Sequence, residues 1–143
     1  MRVLVQKCSS ASVCFEDQEK CISRGYVLLV GFTQGDSLKE IEYLAKKVAN
    51  LRIFEDANGV MNKSILEVSG SVLSISQFTL YGDATKGNRP SYIKAMDALE
   101  AKELYHLWNQ ELAKYLPVVD GFFGCDMKVS LINVGPTTIW LEK

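Results

Sequence analysis

Hydrophobic and polar positions alternate near the start of the chain, at Val3 and Val5 within "RVLVQK" and at Ala11, Val13 and Phe15 within "ASVCF". Together with the β-rich run "GYVLLVGF", and with Ser and Gly as punctuation, this period of two predicts three strands. The period then changes. In "SLKEIEYLAKKVANL" the apolar side chains fall at Leu38, Ile41, Leu44, Ala45, Val48 and Leu51, the spacing of one face of a helix. Ser37 and Glu40 stand three apart at its start, the spacing of a capping box.

Beyond this helix, "RIFEDANGVMNKSI" holds a short strand and a turn at Asn58-Gly59, and "SGSVLSISQFTL" supplies another strand from about Ser71. The polar stretch "YGDATKGNRPS" reads as a long loop. A second helix is predicted from near Asp97, capped by Asp97 with Glu100, with a core face of Ala101, Leu104, Tyr105, Trp108 and Leu112 and a stop at Pro117. "CDMKVSLIN" and "TTIWLE" read as two closing strands. The order of strands, helix, strands, helix, strands with tight links favours antiparallel pairing, and predicts an α+β fold: a mostly antiparallel twisted sheet or partial barrel with two main helices.

Length and composition narrow the class. A chain of 143 residues fits one domain over residues 1–143, since chains divide mainly beyond roughly 250 residues. Apolar residues at 48% and charged residues at 23% match globular usage and exclude a disordered chain. No apolar run approaches the roughly 20 residues of a membrane span, and the N-terminal apolar stretch is too short for a signal peptide; a cytoplasmic protein with no membrane partner is expected. Cys8, Cys14, Cys21 and Cys125 form no CxxC pair and read as small buried or half-buried thiols, so no metal site is expected. Sixteen basic against seventeen acidic residues provide no global field for nucleic acid, so any RNA contact must be local.

The chemistry on offer is sparse. The single histidine, His106, lies off the apolar stripe of its helix and is expected to face water, which argues against a Ser-His or Cys-His nucleophile. Glu55, Asp56 and Asp83 sit in turn contexts where capping or solvation explains them. No glycine-rich phosphate loop is present, so no nucleotide cofactor is expected. Two stretches are left. "SISQFTL" interleaves Ser76, Gln77 and Thr79 with Ile75, Phe78 and Leu80 at a strand end, and "NVGPTT" places Gly135-Pro136 between two β runs, flanked by Asn133 and Thr138.

These two stretches resemble the signatures SQFTL and NxGPxT of the D-aminoacyl-tRNA deacylase family, also called D-tyrosyl-tRNA deacylase. They stand here as Ser76-Gln77-Phe78-Thr79-Leu80 and Asn133-Val134-Gly135-Pro136-Thr137-Thr138. "QKCSSASV", "RIFEDANGVMN", "KGNRPS" and "FFGCDMKVSL" also fall where that family has similar segments, so the resemblance spans essentially the whole chain. Lys7 departs from the Arg common in the family after the N-terminal Gln, which removes a planar bidentate donor. Val134, Thr137 and Cys125 depart at variable positions.

The resemblance implies an esterase that releases D-amino acids from the 3′ end of tRNA without metal or organic cofactor, acting as a homodimer. It implies that Ser76, Gln77, Phe78 and Thr79 form the catalytic segment, with backbone N–H donors near Phe78 and Thr79. It also implies that the Gly135–Pro136 peptide is cis, a form found in about 5–6% of X-Pro bonds in folded proteins. Inserted into the partner's pocket, this dipeptide would bind the substrate ammonium through carbonyls and leave no room for an L side chain, with Asn133 and Thr138 beside it. Lys86 and Arg89 are candidates for phosphate contacts on the acceptor end. Two rival readings stay open: a non-catalytic RNA- or protein-binding dimer, and an esterase for other small acyl esters.

Overall fold

The computed structural model describes residues 1–143. Along the chain run β1 (Arg2–Phe15), β2 (Gln18–Ile22), β3 (Gly25–Gly31), α1 (Leu38–Ala49), β4 (Phe54–Glu55), β5 (Met61–Lys63) and β6 (Ser71–Ser76). A 3-10 helix (Phe78–Tyr81), α2 (Ala98–Ala113), β7 (Val118–Asp120) and β8 (Lys128–Glu142) complete it.

β1 pairs antiparallel with β2, β3 and β8. β3 pairs with β6, and β6 with β7, in parallel. The sheet is therefore mixed and not uniformly antiparallel, because a parallel pair needs a long crossover and the two helices provide it: α1 lies between β3 and β6, and α2 between β6 and β7. At the far edge the Lys20 ammonium on β2 reaches the Asp120 carboxylate (3.0 Å) and carbonyl (2.8 Å) on β7, drawing the sheet toward a closed barrel.

Alternation decides which side chains meet the helices. Val3, Val5, Tyr26, Leu28 and Val30 pack with Ile41, Leu44 and Val48 of α1 and Trp108 and Leu112 of α2 in the larger core. The opposite face of the same strands, with Cys8, Ala11, Val13, Val27, Leu73 and Ile75, forms a second core inside the barrel. α1 begins in the expected capping box, where Ser37 and Glu40 satisfy each other's backbone donors. At α2 only half of the expected capping pair forms: the Asp97 carboxylate accepts from the Leu99 amide at 2.9 Å, while Glu100 adds negative charge to the first turn.

α2 is docked on β6 by polar as well as apolar contacts. The Tyr105 hydroxyl donates to the Ser74 carbonyl (2.7 Å) and accepts from the Gly121 amide (3.2 Å). The Trp108 indole donates to the Ser74 hydroxyl at 3.2 Å. Each is buried, and a buried donor or acceptor left without a partner costs about 1–3 kcal/mol, so these bonds fix the strand that precedes Gln77. Burial also raises the Tyr105 hydroxyl pKa. Of the four cysteines, Cys8 is buried and Cys14 and Cys125 are half-buried, but Cys21 is exposed. It occupies an outward position of the short edge strand β2, where alternation turns it away from the barrel.

The two closing β runs form one strand, β8, that follows β1 through three registers, with shifts between Gln6 and Cys8 and between Cys8 and Ala11. Arg2 to Gln6 pair with Glu142 to Thr138, and Cys8 pairs with Asn133. Residues 134–137 therefore stand opposite Lys7 alone and bulge from the ladder.

Candidate active site

β3, β6 and β7 run parallel, and the carboxyl ends of β3 and β6 open on one cavity of about 700 Å³. Ligands of parallel sheets commonly sit beyond the carboxyl ends of strands, where the connecting loops converge. Val30 to Phe32 at the end of β3 and Ile75 to Phe78 at the end of β6 form its floor. Tyr92, Ala95 and Met96 before α2, Ala98 and Ala101 of α2, and the loop from Phe123 to Met127 form its walls.

The segment 76–80 is not a continued strand. The Gln77 amide makes a final bond to the Val30 carbonyl (2.7 Å), and the chain then coils into the 3-10 helix. Leu80 N donates to the Gln77 carbonyl (3.3 Å) and Gly82 N to the Thr79 carbonyl (2.9 Å). Coiling ends the alternation that the sequence suggested. Ser76 and Gln77 are half-buried in the cavity lining and Phe78 is exposed within it, while Thr79 is exposed and lies outside the lining, beside Phe78. The amides of Phe78 and Thr79 open the 3-10 helix, where no earlier carbonyl of the helix is available to them. The Gln77 amide nitrogen donates to the Thr79 hydroxyl, and the Phe78 ring meets Tyr92 edge-on at 5.1 Å. Gly31 allows the floor to approach this turn: a Cβ there would lie 2.9 Å from the Gln77 carbonyl oxygen.

The other predicted residues lie elsewhere on the chain. Gly135–Pro136 is a cis peptide, exposed on the β8 bulge and outside the lining of the cavity. Asn133 and Thr138 close the base of that bulge: the Asn133 amide donates to the Thr138 hydroxyl (3.2 Å), which donates to the Pro136 carbonyl (3.2 Å). A carbonyl oxygen has two lone pairs, so Pro136 keeps an acceptor site. Gly135 holds φ +111°, a conformation open to glycine. Lys7 makes no contact with a bulge carbonyl; it is buried and its ammonium is bonded to Glu55 at 2.7 Å. That bond is the main cause lowering the Glu55 carboxyl pKa.

Lys86 and Arg89 are exposed in the loop between Asp83 and Ser91, whose backbones bond each other twice at 2.8 Å. Neither basic residue is in an ion pair or in the cavity lining. His106 is exposed on α2, beside Gln110. Periodicity gave no signal for Tyr92, Met96, Phe123, Cys125, Asp126 and Met127, because loop residues reach the cavity by chain reversal; Gly124, at φ +71°, marks one such reversal.

The fold and the cavity define a class: an α+β protein with a nearly closed mixed barrel and an open, apolar-walled pocket whose polar floor comes from a strand-to-3-10 junction. Its lining contains no histidine or lysine. The chain belongs to the D-Tyr-tRNA(Tyr) deacylase family, whose model matches residues 4–142. It is 51% identical over 144 residues to a protein of Bacillus pumilus named D-aminoacyl-tRNA deacylase, covering 99% of this chain and 98% of the relative. It is also 51% identical over 152 residues to a protein of the same name from Bifidobacterium adolescentis, covering 97% and 94%. Among solved structures, one titled c-Myc DNA Unwinding Element Binding Protein superimposes with a TM-score of 0.94 at 38% identity, covering 100% of this chain and 99% of that one. A probable eukaryotic D-amino acid tRNA deacylase shares the fold, with a TM-score of 0.84 at 15% identity over 98% and 97% of the two chains.

Proposed function

We propose that the protein hydrolyses the ester bond of D-aminoacyl-tRNA to free tRNA and D-amino acid. The observation that carries the proposal is the placement of Ser76, Gln77 and Phe78, in a chain of this family, on the floor of an open cavity at the ends of two parallel strands, β3 and β6. In the reaction, water adds to the ester carbonyl, the bond to the ribose oxygen breaks, and the proton from water ends on that oxygen. The amides of Phe78 and Thr79 are suited to the developing oxyanion. Thr79 is poorly placed as a nucleophile, since its neighbour Gln77 presents an amide and not a base. The free 2′-hydroxyl of the terminal ribose supplies the missing acid–base assistance.

Handedness is assigned to Gly135 and Pro136 of a second copy. Supporting this, the bulge is exposed and lies outside the cavity of its own chain, and Asn133 and Thr138 brace it through the Pro136 carbonyl. Discrimination by clash also implies that glycyl-tRNA, with no side chain to clash, is cleaved. Lys86 and Arg89 are assigned to acceptor-end phosphates because both are exposed and free of ion pairs.

The test is cleavage of D-tyrosyl-tRNA and L-tyrosyl-tRNA side by side. Rapid loss of the D ester alone is expected; tight binding without turnover of either would establish a binding module, and equal cleavage of simple acyl esters without RNA would establish a general esterase. Mixing a Gly135-altered subunit with a Thr79→Pro subunit, which lacks the Thr79 amide, tests the second copy: a composite site regains activity in the mixture, and a fully active monomer refutes it.

A further inference from the structure

The 3-10 helix that presents Phe78 and Thr79 has four residues, and such short turns hold their own geometry weakly. Two tethers from outside fix it. At its entry the Gln77 amide is bonded to Val30 of β3. At its exit the Arg2 guanidinium Nη1 donates to the Leu80 carbonyl at 2.8 Å.

Arg2 is itself held on three sides. Its Nε donates to Glu142 Oε1 at 2.8 Å, and the other oxygen of that carboxylate accepts from the Trp140 indole at 3.3 Å. The guanidinium carbon lies 4.3 Å from the centre of the Tyr81 ring and 5.4 Å from that of Trp140. Glu142 and Trp140 belong to the end of β8, and Tyr81 is the last residue of the 3-10 helix. A planar fork that binds two acceptors in fixed directions and stacks on rings is a task for arginine that a lysine ammonium performs only in part.

We propose that Arg2 is a positioning residue for ester cleavage, clamping the exit of the 3-10 helix to the end of β8 so that the amides of Phe78 and Thr79 keep their direction toward the cavity mouth. The inference rests on the reading that these amides face the reacting ester. Arg2 touches no substrate; it acts through the Leu80 carbonyl. Its loss lowers the rate of the bound ester and leaves ester binding largely intact.

The experiment compares Arg2→Gln, Arg2→Lys and Glu142→Gln for kcat and KM on D-tyrosyl-tRNA, together with thermal melting. Arg2→Gln is expected to lose roughly ten- to a hundredfold in kcat, the effect of small misplacement in an active site, with KM within about twofold of the parent. Arg2→Lys recovers part of the rate, and Glu142→Gln, which keeps the Leu80 contact but loses the charged anchor, shows a smaller fall in kcat. A parental kcat in folded Arg2→Gln, or a change confined to KM, overturns the proposal. If Arg2→Gln does not fold, parental kcat in both Arg2→Lys and Glu142→Gln overturns it. Gly31→Ala separates this failure from failure of the underlying reading, because it displaces the same turn from the other side. Loss of rate in Gly31→Ala with none in the Arg2 variants removes Arg2 alone, whereas parental rates in all of them remove the assignment of the turn as the reacting site as well.

Discussion

Replacing Gly31 by alanine adds one methyl group at the point where β3 meets the turn at Phe78–Tyr81. The backbone of Gly31 is not in the left-handed region, so the cost lies in contact and not in conformation. The new Cβ would lie 2.9 Å from the Gln77 carbonyl oxygen, 3.3 Å from Leu80 Cβ and 3.4 Å from Tyr81 Cδ2. Ordinary contact begins at 3.4 Å, so the carbonyl must retreat by 3.4 − 2.9 = 0.5 Å. It cannot do so freely, because the amide of the same residue is bonded to Val30 at 2.7 Å. Overpacking of this kind costs about 1–3 kcal/mol, which lowers Tm by several degrees in a chain of this size. The displacement also passes to Phe78 and Thr79, the next residues, and misplacement on this scale costs roughly ten- to a hundredfold in rate. Single-turnover cleavage of D-tyrosyl-tRNA, with thermal melting on the same preparation, measures both. Unchanged Tm would refute the close approach at Gly31, and full rate with lowered Tm would show that the turn does not set the chemistry.

Thr79→Ala is expected to retain much of the rate, while a tRNA ending in 2′-deoxyribose loses about 10²–10⁴-fold, the range of acid–base assistance; normal cleavage of the deoxy substrate with a dead Thr79→Ala identifies Thr79 as the nucleophile instead. Tyr105→Phe removes the hydroxyl between Ser74 and Gly121 and should destabilise the protein by about 1–2 kcal/mol, read as a lower urea midpoint at unchanged m; an unchanged midpoint would mean that water replaces the hydroxyl. The Thr85 hydroxyl and amide, with the Lys94 ammonium, lower the Asp83 carboxyl from 3.8 to about 2. Since the folded value lies below the unfolded one, the contribution to the loop is complete above pH 3.8 and lost as pH falls through about 2. The Thr85 amide resonance should titrate with a midpoint near 2, and a midpoint at 3.8 would show that these bonds are not held in solution.

Local sequence determined most of the elements, although it divided β1 into two strands and gave no sign of β2 or β7. Helix α1 was legible from a 3.6-residue apolar stripe and from Ser37 and Glu40, because both signals act within one turn of chain. The inward faces of β1 and α2 were legible for the same reason, and the two motifs marked the places where packing left polar groups unexplained. The antiparallel pairings of β1 were legible from the short links, but the parallel pairs of β6 were not. Whether β3 joins β6 in parallel depends on how α1 packs back onto the sheet, a choice made by long-range burial. The coil at Phe78 was hidden too, since alternation continues on paper through Thr79 while the last ladder bond ends at Gln77. Only the tertiary structure carries Arg2 from one end of the chain to Leu80 and Glu142. Such contacts join residues far apart along the chain, where neither side chain bears a local sign of the other, and only the packed sheet brings them within hydrogen-bond reach.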